Sequence, residues 1–179
     1  MKIFVFKMLL LSTISMVDFT NQNALPGKTV TEIKKAKYVG LRVGSSLPAG
    51  VKSDDQFRFM IGSKSNEDIP LEFGIRKVVE GKISMLWFER IIQQNNQVET
   101  EWEVMDVLVL PKISGNQRIC GSYCFSGKEF EPEIIAIADY ENREYLTRVR
   151  RAWRASRVNK RFEEIPTKGI KCENVGWGI

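Results

Sequence analysis

Beyond Thr29 the chain alternates apolar and polar residues with a period of two. Val39, Leu41 and Val43 alternate with Tyr38, Gly40 and Arg42; Phe57, Phe59 and Ile61 with Gln56, Arg58 and Met60; Leu71, Phe73 and Ile75 with Glu72, Gly74 and Arg76. Successive side chains of a strand point to opposite faces, so these runs predict half-buried strands. Turn-type residues separate them, Leu47-Pro48-Ala49-Gly50 before one and Asn66-Glu67-Asp68-Ile69-Pro70 before the next. This spacing predicts an antiparallel sheet.

The middle of the chain carries its most apolar runs. Residues 83–92 are apolar on both faces over Met85, Leu86, Trp87 and Phe88, and residues 104–110 are nearly continuous. Such runs predict central strands. The polar stretch Gln93-Gln94-Asn95-Asn96-Gln97 between them predicts the loop of a β-hairpin. Trp87, Phe88, Trp102, Val107, Leu108 and Val109 are the expected core, each large side chain contributing about 1.5–3 kcal/mol on burial.

In the C-terminal third, residues 132–139 predict another buried strand. Residues 141–156 fit two templates. Leu146, Val149 and Trp153 share a helical face, whereas Thr147, Val149, Trp153 and Ala155 share a strand face with Arg151 as the exception. We expect a strand, a turn around Asn159 and a return strand, with a short helix over residues 141–147 left open by the pattern. The end, residues 172–179, reads as a tail docked by Trp177. The fold class expected is mainly β: an antiparallel sheet, a β-meander or a barrel-like sandwich, with room for one short helix.

The N-terminus has the layout of a secretory signal. Lys2 and Lys7 flank a short apolar stretch, residues 8–17 are uncharged up to Asp18, and polar Thr20, Asn21, Gln22 and Asn23 follow. The run is too short to cross a hydrocarbon core roughly 30 Å thick. Residues 1–24 are therefore expected to be a signal peptide, although Gln22 is not the small residue the peptidase prefers, and residues 25–179 a single β-rich domain. The competing reading is a buried strand at Ile3, Phe4, Val5 and Phe6 followed by a core helix. No second apolar run of about 18 residues follows, so no membrane span is expected after signal removal.

Composition removes several chemistries. The chain has 179 residues, 43 % hydrophobic and 27 % charged, within the usual range for soluble globular proteins. It contains no histidine, which excludes Ser-His-Asp triads, Cys-His dyads, His-ligated zinc and histidine general bases. Gly27-Lys28-Thr29 imitates the end of a phosphate-binding loop, but Gln22 stands where its first glycine belongs; Gly127-Lys128 runs into Glu129 in place of a hydroxyl. No Ser-x-x-Lys occurs, which removes a penicillin-binding site.

Cys120, Cys124 and Cys172 are an odd set, so one bridge leaves one thiol. On a continuous strand Cys120 and Cys124 would lie about 13 Å apart at roughly 3.3 Å per residue, beyond the reach of a disulfide unless Gly121 turns the chain. We expect a bridge from Cys124 or Cys120 to Cys172, three free core thiols being the alternative. The C-x3-C spacing suits neither a thioredoxin-type pair nor a zinc knuckle. No metal site and no cofactor is expected.

The combination Ala152-Trp153-Arg154, Phe162-Glu163-Glu164-Ile165, Gly169-Ile170-Lys171-Cys172 and Gly176-Trp177-Gly178 resembles small exported cyanobacterial proteins that have no assigned activity. The likeness covers roughly the last 50 residues. It implies export and carries no catalytic residue onto this chain.

Charge then supplies the candidate chemistry. The formal net charge is +5, and basic residues crowd into residues 143–161: Arg143, Arg148, Arg150, Arg151, Arg154, Arg157, Lys160 and Arg161, with Trp153 among them. If Arg148, Arg150, Arg151 and Arg154 share a face, their planar forks suit phosphates or carboxylates and Trp153 can stack on a partner. Alternatively these arginines pair with the acidic rows Glu99, Glu101, Glu103 and Glu129, Glu131, Glu133, or are solvated. Three functions follow. The first is an exported, non-catalytic β-domain that binds a protein partner or an anionic envelope polymer. The second is a carboxylate-based hydrolase using two of Glu129, Glu131, Glu133, Asp106 and Asp139, about 5–9.5 Å apart. The third, if the N-terminus is not a signal, is a cytoplasmic nucleic-acid-binding protein; export makes a nucleic acid an unexpected partner.

Overall fold

The computed structural model of the protein describes residues 28–61, 72–94 and 100–178. The expected signal segment, the turn from Asn66 to Pro70, Leu71 and the tip of the central hairpin lie outside these residues. The described residues are mainly β. They form one helix and three antiparallel sheets, none of which closes into a barrel.

The first half of the chain builds the helix α1 (Val30–Tyr38) and the strands β1 (Arg42–Val43), β2 (Val51–Met60), β3 (Phe73–Glu80), β4 (Ile83–Gln94) and β5 (Thr100–Val109). These strands form one sheet in the order β1-β5-β4-β3-β2. The predicted central hairpin is present, with Trp87 opposite Val107 and Ile91 opposite Trp102. Bulges after Phe88 and Ile91 keep Trp102, Val104 and Val107 on the helix side together with Met85 and Trp87. Tyr38 closes this core from above, its ring 4.9 Å from that of Trp87.

The helix lies just ahead of the first alternating run. Thr29 caps it, with Oγ1 accepting from the Glu32 amide at 3.2 Å and the Glu32 carboxylate accepting from the Thr29 amide at 2.6 Å. The capping box removes two orphan donors at the helix start. Val39 and Gly40, the latter with φ +84°, then end the helix, so only Arg42 and Val43 of the predicted first strand pair in the sheet. The short helix left open at residues 141–147 does not form. There the Glu141 carboxylate accepts from the amides of Thr147 at 2.6 Å and Arg148 at 2.9 Å, which closes a loop around the two-residue strand β10 (Tyr145–Leu146). Amides held by a side chain in this way are not free for a helical ladder.

The second half builds β6 (Gln117–Gly121), β7 (Cys124–Ser126), β8 (Glu129–Phe130), β9 (Ile134–Asp139), β11 (Val149–Ser156), β12 (Arg161–Ile165) and β13 (Ile170–Glu173). β12-β11-β9-β6 form the second sheet and β10-β13-β7-β8 the third. The predicted strand, turn and return strand around Asn159 are β11 and β12, and the Asn159 amide donates to Ser156 Oγ at 3.1 Å. All six residues of β9 are buried. Ile135 meets Phe88, Leu86 and Ile75 of the first sheet, while Ile134, Ala136 and Ala138 face the third. Asp106 fastens these layers: it takes Lys35 of the helix at 2.7 Å on one oxygen and the Phe162 amide of β12 at 2.8 Å on the other.

Residues 119–125 are two strands in two sheets, not one. Ser122, at φ 68°, bends the chain between β6 and β7. The bend sends Cys124 opposite Cys172, and the two form a disulfide that closes the third sheet. Cys120 stays in β6 as a buried free thiol, its pKa pushed up by burial to about 11.

One buried ion pair sits under the helix-side face of the first sheet. Arg76 Nε donates to Glu89 Oε2 at 3.1 Å, both residues being at most 4 % exposed, while Arg76 Nη2 and Glu89 Oε1 have no partner. Burial pushes the Glu89 carboxyl up to about 7 against the pull of the Arg76 and Arg58 guanidiniums. A carboxyl that titrates higher folded than unfolded binds more protons in the native state between about pH 4.5 and 7, so stability falls as pH rises through that window. With no histidine in the chain, little else titrates there. Urea unfolding should show a loss on the order of 2 kcal/mol between pH 5 and pH 8. Glu89→Gln should flatten the profile; a midpoint that is level or rises with pH in the parent protein contradicts this account.

Candidate functional site

The structure separates the arginines that the sequence grouped. Along β11, Arg151 shares a face with Trp153 and Arg154 takes the opposite one, while Arg150 sits at an irregularity in the β9 pairing. Each has a carboxylate. Arg150 binds Asp139 through Nε at 3.0 Å and through Nη2, Arg151 meets Glu164 at 2.9 Å, Arg154 approaches Glu131 at 3.7 Å and Arg148 approaches Glu141 at 3.7 Å. The hydrogen bonds from Arg150 hold the Asp139 carboxyl below the usual range. Trp153 is 2 % exposed, with the Arg151 guanidinium 4.7 Å from its ring centre, so it has no free face for a partner.

The candidate hydrolytic carboxylates are likewise dispersed. Glu129 and Phe130 form the short β8, and the chain leaves the strand after them, so Glu129, Glu131 and Glu133 do not form the row that their spacing suggests. Glu133 holds Arg157 at 2.6 Å, Asp106 holds Lys35 and the Phe162 amide, and Asp139 holds Arg150. Among the described residues no three metal-ligating side chains converge.

The concave surface lies elsewhere, where the outer strand of the first sheet, β2, meets the outer strand of the second, β6. At Gly121 the two strands touch: a Cβ there would lie 2.6 Å from Phe59 Cζ and 3.3 Å from Phe57 Cζ. Beside that contact the seam opens. A cleft of about 570 Å³ is walled by Phe57, Phe59, Tyr123, Tyr140 and Trp177. A second, of about 860 Å³, runs toward Lys77, Lys82, Leu110, Lys112 and Ile113 and shares Gln56, Phe57, Arg118 and Ile119 with the first. A third hollow of about 450 Å³ lies among Glu141, Arg143 and Arg148 and shares Tyr140 with the first cleft. Together they make one discontinuous groove.

Its charge is positive. Lys77 is neutralised by Asp54 at 2.8 Å, but Lys82, Lys112 and Arg118 have no carboxylate within ion-pair distance among the described residues. Arg143 and Arg148, at 3.4 and 3.7 Å, share the single carboxylate of Glu141. That carboxylate is already engaged by the amides of Arg148 and Thr147, which hold it below the usual range. Arg118 is fixed where the clefts join. Its Nη1 donates to the carbonyls of Gly115 at 3.2 Å and Gln117 at 3.0 Å, and its guanidinium lies 5.4 Å from the Tyr140 ring centre. Of the residues predicted to bind, only Arg148 borders this groove.

The tail is docked by a different residue from the one expected. Asn174 Nδ2 donates to the carbonyls of Glu141 and Arg143, both at 3.0 Å, and its amide donates to the Glu144 carbonyl at 2.8 Å. Trp177 is left 49 % exposed on the cleft wall. Tyr123 and Tyr140, 52 % and 40 % exposed, are the other open rings there. This site is not legible in the sequence: Trp177 between two glycines reads there as the docking residue of the tail, and Tyr123, Tyr140 and Arg118 carry no signal.

No family model, no curated protein and no solved structure matches this chain.

Cys120, 8 % exposed, lies on the cleft floor beneath this wall. Thiol titration with a chromogenic disulfide should therefore find almost no reactive thiol in the native protein at pH 8. One per chain should appear after unfolding without reductant, and three after reduction. Three thiols before reduction would exclude the Cys124–Cys172 bridge, and a fast-reacting native thiol would place Cys120 outside.

Proposed function

We propose that this chain is an exported, non-catalytic β-domain that binds an anionic polymer along the groove between β2 and β6. The observation that carries the reading is the run of cations Lys82, Lys112 and Arg118 without carboxylate partners among the described residues, continued by Arg143 and Arg148 around one engaged carboxylate. Surface ion pairs are worth only about 0–1 kcal/mol, so paired arginines can exchange partners, but unpaired ones offer their full charge to a ligand. A groove with joined clefts suits an extended chain better than a compact solute. The Cys124–Cys172 disulfide is compatible with an oxidising compartment, as the signal-like N-terminus suggests. No helix of the described residues is long and apolar enough to cross a membrane. Binding is favoured over hydrolysis because Asp106, Glu133 and Asp139 are each held by a cation, and none of the candidate carboxylates lines the groove.

Affinity for heparin, used as a generic polyanion, should fall steeply between 50 and 300 mM salt, with a logarithmic slope that loses about one unit per removed cation. The triple variant Lys82→Gln, Lys112→Gln, Arg118→Gln should bind at least tenfold more weakly. The corresponding change of Arg150, Arg151 and Arg154 to Gln should stay within about twofold, since those side chains are engaged by Asp139, Glu164 and Glu131. If the second variant loses binding and the first keeps it, the ligand lies on β11 and not in the groove.

A further inference from the structure

Resting on that reading, we infer that the polymer is an acidic polysaccharide of uronate type, its sugar rings stacked on Tyr140 and Trp177 and a ring carboxylate met by Arg118. Two features of the aromatic cleft point to this class. The first is its wall. Tyr123, Tyr140 and Trp177 are large rings left 40–52 % exposed in a protein whose other tryptophans, Trp87, Trp102 and Trp153, are at most 6 % exposed. Exposing a large apolar ring in a concave wall forgoes the stabilisation its burial would bring. Three together form the kind of platform against which the C–H face of a pyranose packs, its hydrogens meeting the negative face of the ring. A polyphosphate chain has no such face.

The second feature is a lining of mixed polarity. Arg118 lies over the Tyr140 ring on this wall, while the Arg58 guanidinium is 5.4 Å from the ring of Trp102, which does not line the cleft. The same cleft is bordered by Glu173, Gln56, Ser122 and Asn174. Polyphosphate presents only anionic oxygens to such a lining and has no hydroxyl to donate to the Glu173 carboxylate. Sugar hydroxyls both donate and accept, so a carboxylate, amides and a hydroxyl are suitable neighbours for them. One anionic group per sugar, set beside an arginine fork that the carbonyls of Gly115 and Gln117 hold in place, meets the remaining requirement.

The test compares four probes on the full chain: a galacturonate hexamer, the neutral galactose hexamer, a polyphosphate of equal charge and a thymidine oligonucleotide of equal charge. Binding is followed by calorimetry and by acrylamide quenching, to which Trp177 is the one open tryptophan. The galacturonate hexamer should bind at least tenfold more tightly than the other three and shield Trp177 from quencher. Tyr140→Leu with Trp177→Leu, both at exposed positions, should leave the circular dichroism spectrum unchanged and cost the galacturonate hexamer at least tenfold, with the weak polyphosphate binding falling far less.

If the double variant binds galacturonate as the parent does, or if polyphosphate or the oligonucleotide binds as tightly, the polysaccharide inference is overturned. When Lys82→Gln, Lys112→Gln, Arg118→Gln then removes that tighter binding, the groove reading survives without it. If no probe binds at low salt, both fall.

Discussion

Burial of β9 on both faces is the constraint from which the rest of this architecture follows. A strand whose six residues are all inaccessible needs one layer against Ile135 and another against Ile134, Ala136 and Ala138. The first layer is the sheet built by the N-terminal half, already apolar on both faces because β4 presents Met85 and Trp87 to the helix and Leu86 and Phe88 to β9. The second is small, and alanines on the β9 side let it approach closely. A four-stranded layer of short strands has little apolar area of its own, and the cross-strand Cys124–Cys172 bridge compensates by constraining the unfolded chain, an effect of about 2–4 kcal/mol.

Stacking of this kind also decides where charge can go. Within the second sheet β9 has no solvated face, whereas β11 and β12 keep exposed positions, and there the arginines of β11 meet carboxylates from their neighbours: Asp139 from β9, Glu164 from β12 and Glu131 ahead of β9. A block that looks like an anion site in one dimension becomes a set of margin ion pairs in three. At the opposite margin the outer strands β2 and β6 touch at Gly121 and part on either side of it, and the cations that reach this opening meet few carboxylates. Groove and core are thus products of the same layering. β2 has ten residues and β6 five, so the two edges cannot seal along their whole length.

Most of the strand framework was legible in the chain. Period-two alternation marked β2 and the start of β3, continuous apolar runs marked β4, β5 and β9, and Asn159 marked the β11–β12 turn. The helix was not legible, Thr29 and Glu32 of its capping box being the one local signal for it. Its body carries Lys34, Lys35 and Lys37 because it binds the sheet through Glu80 and Asp106 as much as through Tyr38, so it shows no apolar stripe. The pairing of Cys124 rather than Cys120 turned on one backbone angle at Ser122, which no periodicity encodes. The groove was hidden for a more general reason. Phe57, Arg118, Tyr140 and Trp177 come from four distant segments, and neighbours in sequence say nothing about which sheet edges will meet.

Amide hydrogen exchange followed by mass spectrometry, with and without a saturating acidic oligosaccharide, tests the central claim most directly, because outer-strand amides exchange unless a ligand covers them. Added protection is expected in peptides covering residues 54–59 and 117–123 and the loop at 140–148, with β9 slow in both states and residues 149–165 unchanged. Protection confined to residues 149–165, with β2 and β6 exchanging as in the free protein, would contradict it.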